Sequence, residues 1–352
     1  MFKQMEHAGL TDLHFGLDPA SGLKAIIAIH STARGAAIGG CRCIHYAREQ
    51  DAVTDALRLA HGMSYKAALA GLPHGGGKAV IIEPEQPYDR HHLMAAFGRF
   101  VEQLGGRYIT AMDSGTEVSD MDSIATTTRF VSCTSASGDP SPHTALGVFA
   151  GIQAAVRHRL GRTTLEGLTV SIQGLGHVGH AIAARLHAAG ARLIVSDIDP
   201  DKVRLCVDQF DAKAVAADAI YAVEADVFCP CGLGAILNAT TIPQLNCALV
   251  AGSANNQLAE DEDGNRLRAR NILYAPDYVI NAGGLIHVAL HHAGIDGEQR
   301  DAKIRAIGDT LTHLFNEADR TRQSVHHVAD LHAEALLKAA TTPLSEQEHR
   351  HA

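Results

Sequence analysis

No apolar run in this sequence approaches the roughly 18 uninterrupted residues that a membrane-spanning helix requires, and its N-terminus lacks the basic, apolar and small-residue order of a secretory signal. The expectation is a cytoplasmic protein with no membrane partner. A basic stripe is absent as well. Thirty Lys and Arg against 39 Asp and Glu leave a formal net charge of -9 with both signs scattered, which argues against a nucleic-acid partner. The seven cysteines include no pair with the two-residue gap of the usual zinc or redox motif. Cys41/Cys43 and Cys229/Cys231 come closest, and reduced, mostly buried thiols are expected. The 22 histidines form doublets at His91/His92, His291/His292 and His326/His327 but no HExxH or other ligand-spaced set, so solvated helix faces are expected and no metal. No internal repeat or low-complexity tract is visible.

What the sequence does contain is an ordinary globular balance, 46% apolar and 20% charged residues. Its 352 residues exceed the roughly 100 to 200 of a single domain, which points to two domains. In the first third, short β-rich runs alternate with helical stretches: KAIIAIHST, a helix from about Asp51 to Gly62, KAVIIE, HHLMAAFGRFVEQL and RYITAM. Such alternation predicts an α/β layer. Between Thr126 and Pro142 the Ser-, Thr-, Gly- and Pro-rich stretch SCTSASGDPSP lacks either periodicity and reads as a boundary and hinge. A helix follows, with Pro142 in its first turn and Gly161 as its C-cap. The segment LTVSIQGLGHVGHAIAARLHAAGARLIVSD then reads as strand, turn, helix and strand, with Val178, Ile182, Leu186 and Ala189 making one apolar helical face. Further strands at DVFCP, CALVAGS and ILYAP predict a doubly wound parallel sheet. From about Glu298 to Lys338 the pattern is helical, and the polar tail SEQEHRHA is expected to fray. The chain therefore reads as α/β, with domains at 1–140 and 141–325 and a helix over 325–345 that is a candidate to return to the first.

Gly174, Gly176 and Gly179 form GxGxxG directly after the strand LTVSIQ. In that setting the first glycine permits a tight turn, the second lets backbone NH groups approach a pyrophosphate, and the third lets helix and strand pack closely. The run Gly174-Leu175-Gly176-His177-Val178-Gly179-His180 is thus the expected phosphate loop, with the positive end of a helix dipole behind it. The alternative is a glycine turn that binds nothing. The second strand ends in Ser196-Asp197, 23 residues beyond Gly174, where this arrangement places a carboxylate against the adenosine ribose hydroxyls. An acid there repels a 2'-phosphate, so NAD is expected over NADP. Asp199 reads as a helix cap.

The richest chemistry lies in MSYKAALAGLPHGGGK, residues 63–78. A lysine after three glycines can bind phosphate, but Ala79 follows it and the Walker spacing fails. What the run supplies is two lysines, Lys66 on a helical segment and Lys78 opening the strand KAVIIE. The surrounding glycines are expected to keep side chains away from the Lys78 ammonium so that a substrate can approach it. Asp113 stands just past the strand RYITA, and carboxylates at such strand ends lie where ligands bind. A surface lysine or a capping aspartate is the alternative for each of the three.

These residues sit within longer runs. GGCR at Gly39 to Arg42, MSYKAALAGLPHGGGKAVI, RYITAMDSG, GDPSPHTALGV, QGLGHVG, AGSANNQ and YAPDYVINAGGLI follow one another over about residues 24 to 290. In content and order they resemble the motifs of the glutamate/leucine/phenylalanine/valine dehydrogenase family. The resemblance implies a two-domain amino-acid dehydrogenase, an N-terminal α/β substrate domain plus a Rossmann NAD-binding domain, that deaminates an L-amino acid reversibly to a 2-oxo acid and ammonia. It implies Lys66 as the anchor of the substrate α-carboxylate, Lys78 as the catalytic lysine that activates water, and Asp113 as the proton shuttle. It also assigns Thr144 to the nicotinamide amide and Asn255, Asn256 and Asn281 to cofactor or substrate. Asx-turns remain open for the asparagines and a capping role for Thr144. The family's homo-oligomers imply one here.

By the same resemblance Gly39, Gly40, Ile38, Ala111, Leu285 and Val288 line the substrate pocket. Glutamate-specific relatives carry a lysine where this chain has Ile38, so a second carboxylate would have no partner and glutamate is expected to be rejected. Bulk at Ile38, Leu285 and Val288 favours leucine, valine and isoleucine over phenylalanine, which is the alternative substrate. A non-catalytic NAD-binding regulator would need none of Lys66, Lys78 and Asp113, and a hydroxy-acid dehydrogenase would want a His/acid pair instead.

Overall fold

A computed structural model of the chain describes residues 2–341, which divide into two compact units. Among the described residues the first comprises 2–139, Val288–Ile295 and 333–341, and the second Pro140–His287 and Asp296–His332. The expected fraying tail, Ser345–Ala352, and the end of the expected 325–345 helix lie outside the described residues.

The first unit opens with helix α1 (Phe2–His7) and strands β1 (Asp12–Asp18), β2 (Leu23–Ser31) and β3 (Ala37–Ile44). Helix α2 (Glu49–Leu69), strand β4 (Gly75–Ile82), helix α3 (Arg90–Glu102), strand β5 (Tyr108–Met112) and helix α4 (Val118–Ala125) follow. The five strands form one sheet in the order β1-β2-β4-β3-β5. It is mixed: β3 runs parallel to β4 and β5, while β2 is antiparallel to β1 and β4. Neither β1 nor β3 is evident from sequence pattern. In β3 the pair Gly39-Gly40 lowers strand propensity, yet a Cβ on Gly39 would lie 1.8 Å from the Gly77 carbonyl oxygen, so glycine is what allows the strands to meet.

Helix α2 packs Ala52, Val53, Ala56, Leu57 and Ala60 onto Ile26, Ala28 and Val80 of the sheet. Acidic Glu49 and Asp51 in its first turn and Lys66 in its last suit the helix dipole. It runs past Gly62, the expected end. A glycine inside a helix costs about 1 kcal/mol relative to alanine, and burial of Tyr65, Ala67, Ala68 and Leu69 beyond it outweighs that cost. Strand β4 likewise begins at Gly75, three residues ahead of the expected start, which puts Lys78 in mid-strand.

The second unit starts with α5 (Ser141–Leu160), closed by Gly161 at a left-handed φ of 65°, as the sequence indicates. Then come β6 (Thr169–Gln173), α6 (His177–Ala188), β7 (Arg192–Ser196), α7 (Pro200–Phe210), β8 (Lys213–Ala214), β9 (Glu224–Pro230), β10 (Asn246–Val250), α8 (Glu262–Ala269) and β11 (Leu273–Tyr274). The six strands are all parallel, in the order β11-β10-β9-β6-β7-β8. The two-residue edge strand β8 carries no sequence signal. Strand order reverses between β6 and β9, the switch point where parallel sheets of this kind bind ligands beyond the strand carboxyl ends. Short α9 (Asp277–Ile280) leads to α10 (Gly283–His292), α11 (Gly297–Arg305), α12 (Ile307–Thr321) and α13 (Val325–Thr341), and both α10 and α13 are divided between the units.

All seven cysteines are free thiols, with Cys231 and Cys247 part-exposed and the others buried. His91, His92, His292 and His327 are exposed, but His326 is not on a solvated face: it lies between Asp261 and Asp330, at 3.5 and 3.4 Å. Among the described residues no group of three or more His, Cys, Asp or Glu side chains is disposed to hold a metal ion. No described helix is long and apolar enough to cross a membrane.

Candidate active site and dinucleotide loop

Side chains on neighbouring parallel strands share a face when their residues pair. Gly40 pairs with Ala111, and Ile38 pairs with both Gly76 and Ile109. Two-residue alternation then brings Ile38, Gly40, Ala111 and Lys78 onto one face of the sheet. This is the face α2 covers, since Val80, two residues from Lys78, packs against that helix. Lys66 lies in the last turn of the same helix, half-buried.

Lys78, 6% exposed, forms an ion pair with Asp113. Behind that carboxylate stands Arg42, whose Nε lies 3.6 Å from Asp113 Oδ2 and whose other arm donates to Asp55 Oδ2 at 2.7 Å. The Tyr46 hydroxyl donates to the same Asp55 oxygen at 2.7 Å. Burial pushes the Asp113 carboxyl up, but attraction and hydrogen bonding from Lys78, with Arg42 added, draw it down to about 2. At neutral pH it is therefore ionised. Its position is set by a tight turn, in which the Asp113 NH donates to Thr116 Oγ1 and the Thr116 hydroxyl contacts the carbonyls of Asp113 and Cys41. Gly115 serves that turn with φ of 77°, where a Cβ would strike the Cys43 carbonyl.

Arg42, Asp55, Thr116 and Tyr108 are supporting residues that sequence reasoning missed. The buried Tyr108 hydroxyl donates to the carbonyls of Gly39 and Gly40 at 2.8 and 3.2 Å, fixing the backbone beside the lysine. Arg42 lay in view inside GGCR, but nothing in that run discloses which carboxylates it meets.

The glycines around Lys78 serve a different purpose from the expected one. A Cβ on Gly75 would meet the Ser31 carbonyl, one on Gly76 the Ser64 backbone, and one on Gly77 the Tyr108 ring, each within 3 Å. They let strand β4 pack tightly against β2, α2 and β5 rather than clear a path to the ammonium. Gly40 alone borders the reactive pair, its absent Cβ lying 3.1 Å from Lys78 Nζ and 2.7 Å from Asp113 Cβ. Ile38 is wholly buried and Ala111 nearly so. Leu285 and Val288 sit three residues apart on α10 and so on neighbouring positions of its surface, Leu285 half-buried and Val288 buried.

In the second unit Gly174 ends β6 with φ of 93°, and its NH donates to the Ser196 carbonyl at 2.8 Å. A Cβ on Gly179 would lie 2.1 Å from the Gly174 carbonyl oxygen, whereas one on Gly176 meets nothing within 4 Å. The turn is thus closed on its packing side and open above the α6 N-terminus, where His177 is exposed and His180 bonds Gln209 at 2.9 Å. Leu175 is buried and Val178 half-buried. A pyrophosphate fits this turn, since the one glycine with free space is the one whose backbone it must approach. Asp197 stands at the end of β7 and already accepts from the NH groups of Leu175, at 2.5 Å, and Asp199, at 2.9 Å, so it braces the loop. Asp199 caps α7 by accepting from the Asp201 NH.

Thr144 lies in the first turn of α5, its hydroxyl donating back to the Pro140 carbonyl, and it is not the cap of that helix. Asn281 donates to Asn255 Oδ1 at 2.8 Å and to the Ser253 carbonyl at 3.1 Å, so these two predicted residues are joined. The Asn281 Oδ1 is buried without a partner among the described residues. Asn256 is exposed at a left-handed φ of 51° with its NH on Asp277 Oδ2, which is turn geometry.

A chain with a buried lysine–carboxylate pair in one unit, and in the other an open glycine turn at the switch point of a parallel sheet, has the makings of an amino-acid dehydrogenase served by a nicotinamide cofactor. Comparison with known proteins makes the assignment specific. The family model described as the Glu/Leu/Phe/Val dehydrogenase dimerisation domain matches residues 10–130, and that described as Glutamate/Leucine/Phenylalanine/Valine dehydrogenase matches residues 195–335. The chain belongs to this family. It is 46% identical to a leucine dehydrogenase of Geobacillus stearothermophilus over 99% of this chain and 97% of that protein. It is 48% identical to a valine dehydrogenase of Streptomyces albus over 86% and 85%. The crystal structure of L-tryptophan dehydrogenase from Nostoc punctiforme superposes with a TM-score of 0.85 at 41% identity, covering 97% of this chain and 99% of that one. The hetero-hexameric glutamate dehydrogenase of Thermus thermophilus, at 20% identity and a TM-score of 0.76 over 97% and 95%, shares the fold.

Proposed function

We propose that the protein catalyses the reversible, NAD-dependent oxidative deamination of branched-chain L-amino acids, leucine together with valine and isoleucine, to 2-oxo acids and ammonia. The observation that carries this reading is the buried Lys78–Asp113 pair beside side-chain-free Gly40. NAD, when bound, accepts hydride from the substrate Cα. Gly174, Gly176 and Gly179 would hold its pyrophosphate, and Asp197 would favour it over the phosphorylated form by charge repulsion. Thr144, Asn255, Asn256 and Asn281 complete the cofactor side, the unpartnered Asn281 Oδ1 offering an acceptor.

Lys66 anchors the α-carboxylate as a flexible point charge. Asp113, ionised at neutral pH, takes the proton of the substrate ammonium before oxidation and later returns a proton to departing ammonia. Lys78, after passing its ammonium proton through Asp113 to solvent, accepts a proton from the water that attacks the substrate carbon. Ile38 stands where glutamate-specific relatives carry a lysine, and Lys78 on the same face is held by Asp113, so a second carboxylate would be left unpaired at a cost of several kcal/mol, roughly, and glutamate is excluded.

The leucine and valine dehydrogenases among the relatives favour the branched-chain reading, while the L-tryptophan dehydrogenase makes aromatic substrates the competing one. Steady-state assays with NAD decide between them. A larger kcat/KM for leucine, valine or isoleucine than for phenylalanine and tryptophan is expected, and the reverse order overturns the proposal. Ammonium-dependent oxidation of NADH with 4-methyl-2-oxopentanoate tests the class: turnover without ammonium means hydroxy-acid chemistry, and none at all means a regulator.

A cytoplasmic homo-oligomer completes the reading. The edge strand β1 exposes Phe15 and Leu17, at 57% and 73%, and an apolar sheet edge of that kind favours pairing with another copy.

A further inference from the structure

Cys229 near the end of β9 and Cys231 just beyond it bring their sulfurs to 3.6 Å. Cys229 is fully buried, and Cys231, just past the strand end, is the less buried residue of the two. The pair occupies the switch point between β6 and β9. The Cys231 NH donates to the Gln173 carbonyl at 2.7 Å. The Cβ positions of Gly174 and Gly179, if filled, would lie 2.8 Å from the Cys231 carbonyl carbon and 3.3 Å from its Cβ. Hydrogen bonds to Cys231 sulfur from Cys229, and from Ser253, hold its thiol below the ordinary range against the effect of burial, while the same bond pushes Cys229 up. Cys231, past the end of β9, is the outer thiol of the pair and Cys229, within the strand, the inner one.

We infer that Cys231 and Cys229 form an oxidisable dithiol site whose ligand class is the hydroperoxides, and that its closure to a disulfide weakens dinucleotide binding. The Cys231 thiolate attacks one peroxide oxygen and becomes a sulfenic acid, and the other oxygen leaves as water after gaining a proton. The Cys229 sulfur then displaces the sulfenic hydroxyl, forming the S–S bond and releasing a second water. Two thiols are oxidised and one hydrogen peroxide is reduced to two waters. Closure must draw the sulfurs from 3.6 Å to about 2.05 Å. With Cys231 and Gly232 packed directly against Gly174, the glycine turn takes up that displacement. The consequence for affinity rests on the reading that this turn holds the cofactor.

The test is to titrate the reduced full-length protein with hydrogen peroxide, map the seven cysteines by differential alkylation and mass spectrometry, and follow NADH binding by fluorescence. The expected result is that Cys229–Cys231 closes before any other cysteine is oxidised, that NADH Kd rises about tenfold or more, that saturating NADH slows closure, and that dithiothreitol reverses both changes. C229S should bind NADH normally when reduced and stop at a sulfenic acid on Cys231 that dimedone traps. First oxidation at another cysteine, or unchanged NADH binding by the oxidised pair, overturns the inference. If reduced protein failed to bind NADH, the cofactor reading would fall, and the order of oxidation would still decide the dithiol.

Discussion

Lys78 and Asp113 stand 35 residues apart in sequence and meet as a buried ion pair that draws the Asp113 carboxyl down. Removing the lysine deletes the base and leaves a buried carboxylate with Arg42 as its remaining cation. Lys78→Ala should cut kcat by about 10² to 10⁴ while NADH affinity in the second unit stays at the wild-type level. Stopped-flow turnover with a parallel NADH titration measures both, and wild-type turnover would remove Lys78 from the chemistry. His30 makes a separate residue-level case. It is buried, its Nδ1 is 2.8 Å from Ser64 Oγ, and it meets His61 edge-on at 4.8 Å. Burial, then the neighbouring His61, lower its pKa from 6.5 to about 4. Because the unfolded chain binds the proton first, stability is complete above pH 6.5 and is lost as pH falls towards 4, by on the order of 3 kcal/mol. His30→Gln should flatten Tm against pH across that window, and an unchanged slope would assign the acid sensitivity elsewhere.

Elements show why glycines of one motif are not equivalent. Gly179→Ala drives a methyl to 2.1 Å from the Gly174 carbonyl, so it should destabilise the fold by about 2 kcal/mol or more. Gly176→Ala meets open space and should leave Tm within a degree or two, roughly, yet weaken NADH binding where the pyrophosphate approaches. Thermal scans and NADH titrations of the two variants distinguish these outcomes. Much at this scale was legible beforehand. The strands β6, β7, β9, β10 and β11, the α5 C-cap at Gly161 and the Asp199 cap follow local rules of periodicity and turn chemistry. What was not legible is set by tertiary contact. Helix α2 crosses Gly62 because Tyr65 to Leu69 are buried, β3 tolerates Gly39-Gly40 because Gly77 stands 1.8 Å from the missing Cβ, and Arg42 gains its meaning from Asp55 and Asp113. Lys66, Lys78 and Asp113 could be singled out from sequence, but only pairing of β3 with β4 and β5 explains how Gly40, Ala111 and Lys78 come to share a face.

Each unit builds its own sheet, and the sheets end differently. The first is bordered by the seven-residue β1 with Phe15 and Leu17 outward. If that edge joins copies of the chain, Leu17→Lys should lower the assembly state in sedimentation velocity at unchanged helical content, and an unaltered distribution would place the contact elsewhere. The second sheet is bordered by β8 and β11, each of two residues. An edge that short offers almost no ladder for an incoming strand. During refolding from denaturant, uncovered β1 edges should therefore be where chains first associate wrongly, so recovery of folded protein should fall as protein concentration rises, and less steeply for Leu17→Lys than for the wild type.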